Sequence, residues 1–518
     1  MKKLHWVLTG LVTTGLMLSY IGCANAGNKA AKAAPPPKMM AQTEQAKMPP
    51  PDADKETEEL ADRLMTEGVN NIVSGDYPKA LKLFMDILGV IKNDHPMIPT
   101  TYYNIACTYA LMNEKAPTME YLAKAIKSGY DNRQAIDADP DLAAYRGTPE
   151  YKEVMALIPA IVEITPTPED EMAQKEALNL IATIRGIKYK EEPKYKIMAP
   201  DQFQRAYGGG RDSDTILGFY RWDDKTLYLK QGLDPVKFKG TRIHETFHAL
   251  QDQLFGTGDR EKTKKTIDQR YAFTALIEGD ATLTFIECMP ESMAKMMIKS
   301  AAPWRMMGPA NYDGSKQGEA AMRMGAFGYS TAARFVKAIK DAQGWEGVNA
   351  MYANPPASTE QVLHADKYMA QNDPPVKVTV ADLSSTLGAD WKNSETDTQG
   401  EFVMGLQLMT TPKSGPLAEE AAAGWGGDTY VGYFNASSRQ MFVIHKSVWD
   451  SAKDADEYFE SLSYHIEREY APEKGDNFVR YNTPENTVDY IAKKGNQVLA
   501  ITNIPKELFD KVLAVLGL

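Results

Sequence analysis

Cysteine is nearly absent from this chain: three in 518 residues, at positions 23, 107 and 288. That excludes a disulfide framework and any zinc site built from cysteine pairs. Cys107 and Cys288 fall in regions assigned below to different domains, so free thiols are expected rather than a bridge. Positive charge is in deficit as well, with 58 Lys and Arg against 69 Asp and Glu and a net charge of −11. An acidic surface argues against a nucleic-acid partner and against electrostatic attachment to anionic lipid. The apolar stretch 6–21 is too short and too rich in Gly and Thr to span a membrane comfortably. Placed behind Lys2 and Lys3, it reads as an export signal.

The end of that signal has two readings. Leu18-Ser19-Tyr20-Ile21-Gly22-Cys23 resembles a bacterial lipobox, with Tyr20 where Leu is usual, and implies lipidation of Cys23. Ala24-Asn25-Ala26 offers instead an ordinary signal-peptidase site. Either one sends the protein out of the cytoplasm, and the first anchors it to the membrane.

Histidine is scarce too, with seven in the chain, yet two of them stand at metal-ligand spacing in His244-Glu245-Thr246-Phe247-His248. Residues four apart share a helix face, so one tetrahedral metal can take both imidazoles. Ile243, Phe247, Leu250 and Leu254 supply an apolar stripe on another face of the same helix. Glu245 is placed as a general base toward a water at the metal. A third ligand has to come from elsewhere, and Glu278 in Ala275-Leu276-Ile277-Glu278-Gly279-Asp280-Ala281-Thr282 is available on a helix expected over about 268–287. The three-histidine class of site needs Gly and His three and six residues after His248, where Gln251 and Leu254 stand.

Two histidines plus one glutamate resemble the gluzincin type of metallopeptidase, of which thermolysin is the familiar example. The runs 244–253 and 278–282 are similar to a bacterial family of gluzincin-type enzymes. Its aromatic-Gly-Trp segment is matched by Gly344-Trp345 except that Gln343 precedes the glycine, and its second segment by Pro355-Pro356-Ala357-Ser358-Thr359-Glu360-Gln361-Val362-Leu363-His364. The resemblance covers roughly 170–518. It implies zinc held by His244, His248 and Glu278, with Glu245 as the base that later protonates the leaving amine. His364, and next Tyr329, are candidates to stabilise the developing oxyanion; His364 packing a turn after the Pro-Pro pair is the alternative. Asp252 and Asp280 are candidates to orient the metal-binding histidines, and Asp280 is a ligand instead if Glu278 points away.

The expected organisation is multidomain: a signal (1–23), a Pro- and Ala-rich tether (24–57), an all-α tetratricopeptide-like module (58–160), a mainly helical α+β gluzincin-like core (166–394) and an accessory α+β lobe (395–518). In the module, Leu64, Gly68, Ala80, Phe84 and Ile87 are echoed by Tyr102, Ile105, Ala106, Tyr109, Thr118, Leu122 and Ala125, displaced by 38 residues rather than 34. So few repeats are expected to lean on extra helices or on the core, and to offer a concave surface to a protein partner, or simply to act as a spacer. A hairpin is expected across Asp223-Asp224-Lys225, with an edge to which an extended peptide could add. The Met-rich stretch 289–341 reads as soft packing or as a pliable substrate wall. The lobe reads as strand-strand-helix-strand-strand-helix, with strands at 430–434, 440–445, 487–492 and 497–502, a loop at Trp425-Gly426-Gly427-Asp428, and His445 structural. The function expected is hydrolysis of envelope peptides or proteins. The competing readings are a non-catalytic adaptor acting through the repeats and a zinc amidase acting on cell-wall peptides.

Overall fold

The structure, a computed structural model, describes residues 53–517 apart from 160–162, 208–215, 295–322, 371–372, 410–415, 436, 439 and 470. The export signal, Cys23, the tether up to residue 52 and most of the Met-rich stretch lie outside these residues. No helix among the described residues is long and apolar enough to cross a membrane.

Consecutive helices pair in the first region: α1 (Ala53–Val73) with α2 (Tyr77–Val90), and α3 (Ile98–Leu111) with α4 (Lys115–Lys127). Asp76 caps α2 by accepting from the Lys79 amide. Ala80, Phe84 and Ile87 are fully buried in the first pair, as are Ile105, Ala106, Leu122 and Ala125 in the second. Two shorter helices follow, α5 (Arg133–Ala138) and α6 (Pro149–Met155). The second of these starts from a Thr148 cap with Pro149 in its first turn. Tyr151 and Met155 join the α3–α4 core, so the pairs do lean on added helices. They also touch the next region, where Arg205 Nε donates to Asp131 Oδ2 at 2.7 Å.

A capping box between Thr167 and Asp170 starts α7 (Pro168–Arg185). A three-stranded sheet follows, interrupted by α8 (Pro200–Tyr207): β1 (Lys194–Met198), β2 (Gly218–Arg221) and β3 (Thr226–Lys230). The strand order β1-β3-β2 leaves β2 at an edge, with the anticipated hairpin antiparallel and β1 parallel to β3. Then come α9 (Pro235–Phe255), α10 (Thr257–Glu261) and α11 (Ile267–Glu287). After the undescribed stretch, a π-helical turn (Phe327–Thr331) runs into α12 (Ala332–Met351), which kinks at Gly344. The short helices α13 (Thr359–Leu363), α14 (Ala365–Ala370) and α15 (Ser384–Leu387) lead to the last region.

That region holds a seven-stranded, fully antiparallel sheet. Its elements are β4 (Trp391–Asp397), α16 (Gly400–Met409), α17 (Pro416–Ala422), β5 (Trp425–Asn435), β6 (Gln440–Trp449), α18 (Ala452–Glu469), β7 (Glu473–Gly475), β8 (Phe478–Asn482), β9 (Thr487–Lys494), β10 (Gln497–Pro505) and α19 (Lys506–Leu516). The order is β4-β5-β6-β10-β9-β8-β7. Trp425-Gly426-Gly427-Asp428 is not a loop: it is the start of β5, paired with β6 from Trp425↔Trp449 to Asp428↔Ser447. A strand accepts glycine at 427 because the Val376 carbonyl lies against it, where a Cβ would come within 2.2 Å of that oxygen. Alternate residues serve two cores. Tyr430, Val443, Ile491 and Val498 join α11, α12, α16 and α18 in one cluster, while Val431, Ile444, Leu499 and Ile501 pack with α19. The sheet is therefore continuous with the helical core through one face.

Candidate metal centre

Asp234 caps α9 by accepting from the Lys237 amide, and Pro235 occupies its first turn. Ile243, Phe247 and Leu250 pack with Ala177, Leu178 and Ile181 of α7 and Ala281 of α11. With that stripe committed to packing, the row of His244 and His248 turns toward α11 and meets Glu278. His244 Nε2 lies 3.2 Å from Glu278 Oε2, His248 Nε2 lies 3.5 Å from the same oxygen, and the two Nε2 atoms are 3.0 Å apart. The rings meet edge to face with centroids 4.6 Å apart. Gly279 permits this geometry: a Cβ there would lie 2.5 Å from the Ala332 carbonyl oxygen, forcing α11 away from α12.

Both histidines are buried, Glu278 is largely so, and their electrostatics are coupled. Burial opposes charge on His248, but the Glu278 carboxylate outweighs it and raises the imidazole to about 9. Burial likewise opposes ionisation of Glu278, and the two imidazoles outweigh it, holding that carboxyl well below the usual range. Two donor nitrogens facing each other beside a carboxylate need a shared cation, either a proton or a metal. A second observation fits a metal. His248 Nδ1 is 2.8 Å from Gln251 Oε1, so the neutral ring keeps its proton on Nδ1 and frees Nε2, the nitrogen that faces the cluster, to take a metal once its own proton leaves.

Glu245 is 2% exposed and lies against β2, where a Cβ on Gly218 would approach Glu245 Cγ to 2.9 Å. Tyr329, on the π-helical turn, brings its ring to 6.2 Å from that of His244. His364 is placed differently. It closes α13, and its Nε2 is 2.9 Å from Glu401 Oε1. That helix is tied to the first turn of α11, where Asp268 accepts from Thr359 N at 2.8 Å and Thr359 Oγ1 at 2.6 Å. Asp268 precedes Glu278 by ten residues, about 15 Å along the helix. The structure pairs His364 with Glu401 in this capping assembly rather than with any of the three clustered side chains. The Ser-Thr-Glu-Gln run thus anchors the helix that carries Glu278.

Asp252 bonds neither histidine. It accepts from Tyr220 Oη at 3.0 Å, Lys225 Nζ at 2.5 Å and Gly258 N at 3.2 Å, tying α9 to the β2–β3 hairpin. Asp280 points away from the cluster and ion-pairs with buried Arg185, leaving Glu278 as the carboxylate that meets the imidazoles. It still reaches His248 through a relay. Gln251 Nε2 donates to the Ile277 carbonyl at 2.9 Å and to Tyr352 Oη at 2.6 Å, and Tyr352 Oη donates to Asp280 Oδ2 at 2.8 Å. Arg185 stacks between Phe247 and Trp345, 4.8 and 4.1 Å from the ring centroids, and donates to Asn349 and Thr284. Gln251, Tyr352 and Arg185 are functional candidates that the sequence alone does not single out. The usable signal is that Gln251 lies three residues after His248, on the same helix side. Cys107 and Cys288 are both free thiols. His445 pairs with buried Asp428 at 3.0 Å inside the sheet.

Residues 386–512, which take in β4 to most of α19, match a family model described as a domain of unknown function (DUF8575). The chain is also 26% identical over 136 residues, 26% of its own length, to a chloroplastic protein of Arabidopsis thaliana, and spans 37% of the length of that relative. No solved structure matches.

Proposed function

We propose that this chain is an exported zinc-dependent peptidase of the gluzincin type, anchored in the cell envelope through a lipid on Cys23. One observation carries the reading: the ligand atoms of His244, His248 and Glu278 lie within 4.8 Å of one another, beside a buried Glu245 on the same helix as the histidines. A structural site has no use for that carboxylate, which favours hydrolysis over a non-catalytic adaptor. Zinc in this setting supplies Lewis acidity toward a scissile carbonyl and lowers the pKa of a water. With zinc held by His244, His248 and Glu278, Glu245 would be the group to accept a proton from a water and pass it to the leaving amine. Of the two candidates to meet a developing oxyanion, Tyr329 is the one whose ring lies near His244, while His364 is held by Glu401. An extended peptide adding to the edge strand β2 would run alongside Gly218, the residue of that strand that packs against the Glu245 side chain at Cγ. The paired N-terminal helices support a tetratricopeptide-type module that holds a protein partner.

Metal analysis with peptide-library digestion tests this. Wild type should carry one zinc per chain and cleave peptides, and Glu245→Gln should keep the zinc while cleavage falls by about 10³-fold. Absence of stoichiometric zinc, or unchanged cleavage in the variant, overturns the reading. Cleavage of muropeptides but not of proteins would move it to a cell-wall amidase.

A further inference from the structure

The relay behind His248 has features of a built device rather than of incidental packing. We propose that Gln251, Tyr352, Asp280 and Arg185 act as a positioning chain that sets the orientation and proton placement of His248, and so the affinity of the centre for its metal. This rests on the metal-binding part of the reading above and not on peptidase activity.

Each link has a single direction. The Gln251 amide is oriented because Nε2 has two acceptors, the Ile277 carbonyl and Tyr352 Oη, which turns Oε1 toward His248. An acceptor at 2.8 Å from Nδ1 selects the tautomer that carries its proton there and leaves Nε2 to coordinate. Tyr352 Oη accepts from Gln251 and donates its own hydrogen bond to Asp280, so reversing the amide would leave the tyrosine without its donor. Burial and the Asp280 carboxylate keep the Tyr352 hydroxyl protonated. Arg185 balances Asp280 and is pinned by two rings and two further acceptors. All four members are buried, so water does not substitute for a lost partner.

The composition of the chain matters as well as its geometry. The group against His248 is a neutral amide, and the full negative charge of Asp280 is held two links away. The Nδ1 side of His248 is thereby held by an amide and not by a carboxylate, which keeps the electron-donating push through that nitrogen small. The chain draws on α7, α9, α11 and α12, with Trp345 and Asn349 following the Gly344 kink. The Gly344-Trp345 pair thus has a role in the site that its distance in sequence hides.

The test measures zinc affinity by chelator competition and the visible spectrum of the cobalt(II)-substituted protein, alongside the melting temperature of the metal-free chain. Tyr352→Phe removes one hydroxyl. Tyr430→Phe, which removes a buried hydroxyl bonded to Glu395 in the sheet, is the control. Tyr352→Phe should weaken zinc binding about tenfold or more and alter the cobalt spectrum. Tyr430→Phe should lower the melting temperature with both metal readouts unchanged. Gln251→Met, which keeps the volume and breaks the link at His248, should weaken binding further and decides the matter if Tyr352→Phe fails to fold. Zinc binding within twofold of wild type, with an unaltered cobalt spectrum, overturns the positioning chain alone. A wild-type chain that binds no zinc overturns the metal reading and the chain together.

Discussion

Among the described residues three clusters present three metal-capable side chains within 4.8 Å, one of them Cys107, Asp139 and Asp141, and the other two differ in what stands at their centre. Around α9 and α11, His244, His248 and Glu278 converge on one another. Near α13, Glu360, Asp373 and Asp450 converge on Lys367, whose ammonium lies 2.6, 2.6 and 2.7 Å from them. The second cluster already owns its cation, and its carboxylates are neutralised by a side chain of the protein. The first sets two imidazole nitrogens 3.0 Å apart, an arrangement that is unfavourable unless a proton or a metal is shared. Convergence of acidic groups is therefore a weak sign of a metal site, and convergence of lone pairs is a stronger one.

Removing one member from each cluster gives the largest separation. His248→Ala should reduce zinc from one per chain to near none, a loss of affinity of at least about 10³-fold, because a two-ligand site holds zinc poorly. Lys367→Met should leave zinc content at one per chain yet lower stability by about 3 kcal/mol, since Glu360, 1% exposed, keeps its burial and loses its counter-ion. Metal analysis and denaturant unfolding on both variants check this. If zinc falls in Lys367→Met, the clusters are not separate.

A smaller effect comes from pH. In the metal-free centre His248 is raised from 6.5 to about 9, so its stabilisation is complete below about pH 6.5 and is lost as pH rises through about 9. Glu278 is depressed, so its contribution is present above its ordinary carboxylate range and is lost only as pH falls through the lowered value. Zinc must displace the His248 proton. Its affinity should therefore rise about tenfold per pH unit between about 7 and 9, with about one proton released per zinc in calorimetry. A pH-independent affinity over that window would show that His248 is already neutral before the metal arrives.

Helix periodicity explains which parts of the site are legible in the sequence. His244 and His248 follow the apolar stripe of α9 by simple phase. The alternating strands β5, β6, β9 and β10 are readable for the same reason. By contrast β4, Trp-Lys-Asn-Ser-Glu-Thr-Asp, is polar after Trp391 and mostly exposed, and β7 has three residues, so neither carries a period-2 signal. Gln251 reads in sequence only as the position where the glycine of a three-histidine site is missing. Its bonds reach Tyr352, a hundred residues on, and pairing across that span depends on how four helices pack. The same limit applies to His364, whose partner Glu401 lies in another element.

The smallest effect tests which acid supports the histidines. One turn beyond His248, Asp252 is suited by spacing to orient it, but its three partners all lie toward the hairpin and the start of α10: Tyr220, Lys225 and Gly258. Burial and the Asp252 carboxylate also push the Tyr220 hydroxyl above its usual range, a sign that this acid spends its charge there. Asp252→Asn keeps the shape and one acceptor oxygen while removing the charge opposite Lys225. It should lower stability by about 1–2 kcal/mol, because charge-assisted bonds are lost at a side chain that is buried. Zinc affinity should stay within about twofold, well under the tenfold or greater change expected when a true orienting partner is removed. A tenfold loss in Asp252→Asn would place the support of the centre on the hairpin side of α9 and not on the Gln251 side.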